Sequence, residues 1–206
     1  MSKTETRERI LLAAVDQFAE RGFQRVTVSS ICQQAKANVA LVNYYFGSKQ
    51  RLYREALRTA FEVAERQYPI RGSVPSRSIR SSEQQLKTFM NAVIRRAFDT
   101  GPAGKFDRML AHETTRETEA EDFIVKEVFE LQGKALRRVL QTLLGTRSRE
   151  RIAQAHLNIA ALCVFPKLVS PLRKMRFPTP PTDRQLSSYI RRQTDFALAG
   201  LATLKS

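Results

Sequence analysis

Apolar residues along this chain recur every three or four positions, which is the spacing of one face of an α-helix. No stretch shows the apolar–polar alternation that predicts a β-strand, and no internal repeat is visible. In the first third of the chain the pattern predicts four helices: one that ends at Gly22, two short ones between residues 27 and 46, and one from Lys49 to about Gln67. The predicted fold class is all-α, with about nine helices in a small N-terminal head and a larger C-terminal body.

The two short helices carry the clearest functional signal. Thr27 can cap the first helix, and Asn38 can cap the second. The apolar face of the first helix is formed by Val28, Ile31, Cys32 and Ala35. Two short helices joined by a tight turn have the spacing of a helix-turn-helix, whose second helix enters the major groove of DNA. From spacing alone, a pair of surface helices in an ordinary bundle is the alternative.

The segment TVSSICQQAKANVALVNYYFGSKQRLY, residues 27–53, resembles the DNA-binding region of TetR-type transcriptional regulators. The matching residues are Thr27, Ile31, Ala35, Tyr45, Phe46 and Lys49. The resemblance covers roughly the first quarter of the chain. It implies a regulator, most often a repressor, whose C-terminal body dimerises and binds a small molecule. Two residues depart from the family pattern: Lys36 stands where Gly is usual, and Asn43 where Tyr is common.

The helix-turn-helix predicts which side chains would contact double-stranded DNA. We expect base contacts from Asn43, Tyr44 and the exposed part of the segment Val39, Ala40 and Leu41. Asn carries both a donor and an acceptor, so Asn43 can pair with an adenine edge. Phosphate contacts are expected from Thr27, Tyr45 and Lys49.

The chain changes character after the fourth helix. Residues 69–81 are rich in Pro, Gly, Ser and Arg and predict a linker, so we expect a DNA-binding head at 1–68 and a body at 69–206. The predicted body helices begin near Ser82, Lys105, Thr118, Ser148 and Thr182. Four helix starts in the chain have the spacing of a capping box: Ser2 with Glu5, Ser82 with Gln85, Thr118 with Glu121, and Thr182 with Gln185.

The last two helices carry more apolar surface than one antiparallel packing requires. The resemblance implies that such helices form a four-helix interface between two subunits. We therefore expect a homodimer and an inverted-repeat operator. The expected interface residues are Ala161, Val164, Phe165, Tyr189, Ile190, Ala197 and Leu201. The alternative is that both faces belong to the internal core.

A site for a small-molecule effector is expected around the short segment 106–116, which follows a Gly-Pro-Ala-Gly break. In the arrangement that the resemblance implies, this segment abuts the fourth helix, which links head and body. The candidate ligand-binding residues are Phe89, Val93, Arg96, Phe106, Met109, His112 and Glu113. Any partly exposed helix pair offers the same mixture of apolar and polar residues, and this alternative stays open.

Composition limits the remaining classes. The net charge is +15, yet residues 1–55 hold nine Lys/Arg against five Asp/Glu, so most of the excess lies outside the predicted head. The longest apolar run, Ile159–Phe165, is far shorter than a membrane span, and the N-terminus does not read as a signal peptide; we expect a cytoplasmic protein without a membrane partner. Cys32 and Cys163 sit at apolar positions and predict small core residues.

The sequence offers little for enzymatic chemistry. His112 and His156 lie far apart, without neighbouring ligands at metal spacing. The acidic residues between 113 and 122 straddle a helix junction, where carboxylates suit a helix N-terminus. We expect no catalytic site, no metal and no cofactor. The second function class left open is an architectural or division-linked DNA-binding protein of the same fold that uses no ligand.

Overall fold

The computed structural model describes residues 3–70, 78–113, 130–168 and 174–204, and every regular element in these ranges is helical. The α-helices are α1 (Lys3–Arg25), α2 (Val28–Ala35), α3 (Val39–Phe46), α4 (Lys49–Gln67), α5 (Ile79–Phe98), α6 (Lys105–Glu113), α7 (Glu130–Leu144), α8 (Arg149–Leu168) and α9 (Asp183–Thr203). A 3₁₀ turn, Pro102–Gly104, precedes α6. The all-α prediction is confirmed.

The helices form two compact units. Within the described ranges, the first unit contains residues 3–67 and 99–113, which are α1 to α4, the 3₁₀ turn and α6. The second contains α5, α7, α8 and α9. The short helix α6 thus packs with the N-terminal helices, against α1 and α4. The division at residue 68 into a DNA-binding and an effector-binding part remains a functional prediction.

The core of the first unit is built where α1 crosses α4. Ile10 and Phe18 of α1 are fully buried, as is Leu52 of α4. The ring of Phe18 meets the edge of the Tyr53 ring at 4.9 Å between centroids and an interplanar angle of 89°. Burial of each such side chain contributes about 1.5–3 kcal/mol, so this crossing fixes the platform on which α2 and α3 rest.

The core of the second unit lies between α5, α7, α8 and α9. Its fully buried members include Leu86, Met90, Ile94, Leu140 and Ile159. The guanidinium of Arg95 also links α5 to α9, since it donates to the Asp183 carboxylate at 2.6 Å and to the Ser187 hydroxyl at 2.8 Å. The predicted core positions of both cysteines are confirmed, and burial raises the pKa of the Cys163 thiol to about 12.

The helix starts test the capping predictions. The Thr182–Gln185 capping box is present at α9 and confirms that prediction. The Ser82 cap is wrong: Ser82 is buried inside α5, which begins at Ile79, and the Ser78 hydroxyl accepts the Ser81 N–H at 3.2 Å instead. Ser78 is as good a capping residue as Ser82, so residue type alone did not separate the two. The boxes at Ser2 and Thr118 lie outside the described residues.

Helix ends also differ in detail from the predictions. Gly145 has a φ of 64° and follows the last residue of α7, as predicted. Gly22 has the positive φ expected of a helix end (φ 75°, ψ 165°), but the helical element resumes after this break and runs to Arg25. The eighth helix extends to Leu168, past Pro166. In the described part of the chain, no helix combines the length and apolar character needed to cross a bilayer.

Candidate nucleic-acid interface

Helices α2 and α3 start as their capping residues predict. The Thr27 hydroxyl accepts the Ser30 N–H at 3.0 Å, while the Ser30 hydroxyl accepts the Thr27 N–H at 3.3 Å. At the second helix, the Asn38 side chain accepts the Ala40 N–H at 2.9 Å. These bonds satisfy backbone donors that a helix start leaves open, and they fix where each helix begins.

The turn between α2 and α3 contains one residue with left-handed backbone. Lys36 has φ 50° and ψ 49°, and its amide donates to the Gln33 carbonyl at 3.3 Å. The next amide, of Ala37, donates to the Cys32 carbonyl at 2.9 Å. The turn therefore closes α2 in the manner usual for a C-terminal glycine, although the residue in the left-handed position is Lys.

A buried glutamine anchors α2 on α1. Gln17 donates to the Ser30 carbonyl and to the Gln34 side chain, each at 2.9 Å, and it accepts from the Ser30 hydroxyl at 2.6 Å. The Gln34 amide donates in turn to Asp16 at 3.4 Å. Gln17 is buried, and its side-chain amide both donates and accepts hydrogen bonds with residues of α2. It therefore sets the position of α2 as well as stabilising it.

Helix α3 is held by one narrow face and leaves the rest in solvent. Val42 and Phe46 are buried against the other helices. Val39, Ala40, Asn43 and Tyr44 are exposed, and Tyr44 is 68% exposed. Leu41 and Tyr45 are half-buried, with the Tyr45 ring between those of Tyr44 and Phe46. The exposed set mixes a side-chain amide, a phenol and methyl groups, which suits base edges in a major groove.

The flanks of α3 are basic. Residues 25–58 contain six Lys/Arg and a single acidic residue, Glu55. Glu55 is paired with Arg7, whose guanidinium also lies 4.9 Å from the centroid of the Phe46 ring. Thr27 is exposed at the start of α2. This excess of positive charge in the sequence around α3 suits binding to a phosphate backbone.

Lys49 makes a structural contact that its sequence did not predict. Its ammonium lies 4.2 Å from the centroid of the Phe23 ring, and burial lowers the pKa of Lys49. The side chain thus packs on the segment that follows the break in α1, while it remains close to the start of α4. Exposed residues that the prediction omitted are Ser29, Gln33 and Lys36. The basic character of Lys36 in the turn was the available signal for the last.

The predicted ligand-binding residues fall into both units. Phe106 and Met109 are buried in the first unit, and the Phe106 ring lies 5.1 Å from that of Phe61 on α4. The His112 side chain lies against Gly22, and Glu113 is the last residue of α6. In the second unit, Phe89 and Val93 pack on the core. Arg96 is buried, with its guanidinium donating to the Tyr68 carbonyl, which is a structural role.

The predicted dimer residues divide into an inner and an outer set. Tyr189, Ile190, Ala197 and Leu201 are buried within the second unit itself. Ala161 and Phe165 are exposed, and Val164 is half-buried. A groove of about 660 Å³ runs between α8 and α9, with Leu162, Phe165, Phe196 and Leu204 among its lining residues. The prediction omitted Phe196, although it is 68% exposed.

Residues 10–56 match the family model described as bacterial regulatory proteins, tetR family. The geometry and this match together define a DNA-binding domain of the helix-turn-helix class. The predicted resemblance of this region to the TetR-type transcriptional regulators is confirmed.

One similar protein is the HTH-type transcriptional repressor NicS of Pseudomonas putida. It is 35% identical over 78 residues, which cover 36% of this chain and 37% of NicS, so the chain spans little more than a third of that relative. The likeness between the two sequences thus concerns that region alone.

Three solved structures are similar over nearly the whole chain. The hemolysin II transcriptional regulator HlyIIR is 22% identical with a TM-score of 0.61, covering 94% of this chain and 99% of that one. A TetR family transcriptional regulator from Pseudomonas syringae pv. tomato is 20% identical with a TM-score of 0.59, covering 94% of this chain and 95% of that one. PfmR, a TetR family transcriptional regulator from Thermus thermophilus, is 18% identical with a TM-score of 0.62, covering 93% of this chain and 95% of that one. At these identities the likeness establishes a shared fold.

Proposed function

We propose that this protein is a sequence-specific transcriptional repressor that binds an inverted-repeat operator as a homodimer and is released by a small-molecule effector. The observation that carries the DNA-binding part is the exposed face of α3. Two buried side chains, Val42 and Phe46, hold the helix while Asn43 and Tyr44 face solvent. The similarity to the repressor NicS supports the direction of regulation.

The exposed groups suggest separate roles in binding. Asn43 can both donate to and accept from an adenine edge, and the methyl groups of Val39 and Ala40 can contact a thymine methyl. Thr27 keeps its hydroxyl proton free to donate to a phosphate while its oxygen caps α2. Base contacts supply sequence preference, whereas phosphate contacts supply position and most of the salt-dependent affinity.

The first test separates base contacts from phosphate contacts. Asn43→Ala is expected to reduce discrimination by roughly 1–3 kcal/mol at one base pair of the selected operator, because one pair of base-edge bonds is lost. Lys49→Ala is expected to weaken binding to operator and random duplexes alike. It should also lower the salt slope, which is the steepness with which log affinity falls against log salt concentration, by about one unit. Both effects are measured by binding-site selection and by fluorescence anisotropy across a salt series.

Gln84→Ala, an exposed amide on α5, is the matched control and should change neither quantity. An unchanged operator preference in Asn43→Ala would remove Asn43 from the base-reading set. If the wild-type protein binds operator and random duplexes equally at every salt concentration, the architectural function replaces the repressor function.

Helix α6 provides a route by which an effector could act on α2 and α3, the two helices of the helix-turn-helix. The Lys105 ammonium at its start pairs with Asp16 of α1, whose other oxygen accepts from Gln34 of α2. At its other end, the His112 side chain lies against Gly22, close to the start of α2. A shift of α6 would thus disturb α2 through α1, in addition to any motion of α4 through the Phe61–Phe106 contact.

A double-mutant cycle tests this route. Lys105→Met and Gln34→Ala should be coupled in operator affinity by about 0.5 kcal/mol or more, because both act through Asp16. The pair is half-exposed, so the free energy of unfolding should change by no more than about 1 kcal/mol in Lys105→Met. Lys105→Met combined with Glu20→Gln, an exposed acid on α1, is the control cycle and should be additive. Additivity in both cycles would refute the route through Asp16.

A further inference from the structure

Lys36 is the one non-glycine residue with a positive φ in the described part of the chain. Its φ of 50° and ψ of 49° lie in the left-handed helical region, where the Cβ of an L-residue crowds the following carbonyl. Glycine adopts this conformation without steric cost, and Asn tolerates it better than Lys. The turn therefore carries backbone strain that a different residue would relieve.

Among the residues that the structure describes, nothing around position 36 requires a lysine. The Lys36 side chain is exposed, and in the described part of the chain it makes no ion pair or side-chain hydrogen bond. The bonds that shape the turn use the amides of Lys36 and Ala37, which almost any residue supplies. What Lys adds over Gly is a positive charge on a long flexible stem.

The location of that charge points to its partner. Lys36 lies two residues before Asn38, the cap of α3, and the N-terminal residues of a recognition helix lie nearest the base edges and their flanking phosphates. The only acidic residue between positions 25 and 58, Glu55, is already paired with Arg7. An ammonium in this setting is free to meet an oligonucleotide phosphate.

We infer that Lys36 contacts a DNA phosphate from the turn of the helix-turn-helix. Lysine is present at this position although the left-handed backbone there disfavours it. Strained residues persist where function requires them, and this one exchanges stability of the turn for affinity. The inference rests on the proposed DNA-binding function. It adds a contact outside the residues that the sequence motif assigned.

The test is a set of three substitutions in the full-length protein. Lys36→Gly and Lys36→Asn should raise the Tm by about 2 °C, because the strain is relieved. Both should weaken operator and random duplexes by the same several-fold factor and lower the salt slope by about one unit. Lys36→Arg keeps the charge and should retain wild-type affinity and slope.

The opposite directions of the two effects separate this role from a structural one. A residue that served only the fold would lose Tm and affinity together. Lys87→Gln, which removes an exposed charge from α5, controls for net charge and should leave affinity and slope unchanged. If the wild type binds DNA and Lys36→Gly binds with the same affinity and the same salt dependence, the proposed Lys36–phosphate contact is wrong, while the proposed DNA-binding function stands. A wild type that binds no duplex would overturn the proposed function as well.

Discussion

Phe196→Glu is expected to convert the protein from a dimer to a monomer at micromolar concentration and to weaken operator binding by at least about a hundredfold. Phe196 lines the groove between α8 and α9 and is 68% exposed in the isolated chain. In the proposed dimer, the same helices of a second copy fill this groove, related by a two-fold axis. A carboxylate placed there would lose its water without gaining a partner.

The size of the expected effect follows from the surface around Phe196. Four of the large apolar side chains left exposed by the chain lie on α8 or at α9: Leu157, Phe165, Phe196 and Leu204. An apolar patch of this kind indicates a contact with another protein surface. An unpaired buried charge costs several kcal/mol, and each 1.4 kcal/mol is tenfold in affinity. A monomer would engage only half of an inverted repeat, so operator affinity falls with assembly.

Position 196 gives a cleaner test than Ala197. Ala197 is buried in the second unit itself, so a charge there would unfold the subunit as well as separate the dimer. Met175→Glu is the matched control, since Met175 is also an exposed apolar residue of the second unit but does not line the groove. Light scattering gives the mass, and anisotropy gives operator affinity. A Phe196→Glu protein that remains dimeric would exclude this groove as the interface.

The parts of the molecule that the sequence predicted well are those determined locally. The caps at Thr27 and Asn38 depend on neighbours within a few residues, so residue type and spacing are sufficient. The anchoring of α2 could not be predicted in this way. It depends on Gln17, thirteen positions before Ser30, and on Lys105, eighty-nine positions after Asp16.

The candidate sites of the body show a second limit. Apolar spacing in α9 marks both the inner residues, such as Ile190 and Leu201, and the outer Phe196, because the helix is apolar on more than one face. In α6 the same spacing fits either a face that lines a ligand pocket or a face packed in the core. Phe106 and Met109 are buried in the first unit. Periodicity identifies apolar residues, whereas the surface that each one meets depends on distant parts of the chain.

Gly104→Ala is expected to destabilise the protein by roughly 2–4 kcal/mol, the largest stability effect of any single methyl group added in the first unit. A Cβ at this position would lie 1.8 Å from the Asp99 carbonyl oxygen and 2.8 Å from Nη1 of Arg108. Relief by movement of the loop is restricted, because Arg108 donates to the carbonyls of Asp99 and Gly101 at 3.0 and 3.1 Å. The Gly104 amide also donates to the Asp99 carboxylate at 3.1 Å.

Gly145→Ala separates this clash from a purely conformational cost. Gly145 has a φ of 64° and open space where the added methyl group would lie, so its substitution should cost only about 1–2 kcal/mol of backbone strain. Urea denaturation measures both variants. Because Lys105 follows Gly104 and pairs with Asp16, a displaced α6 start should also weaken operator binding in Gly104→Ala under conditions where it remains folded. Gly145→Ala should bind operator like the wild type. A Gly104→Ala protein within about 0.5 kcal/mol of wild-type stability would show that the loop from Asp99 to Gly104 relaxes without loss, and that α6 is less tightly fixed than its contacts indicate.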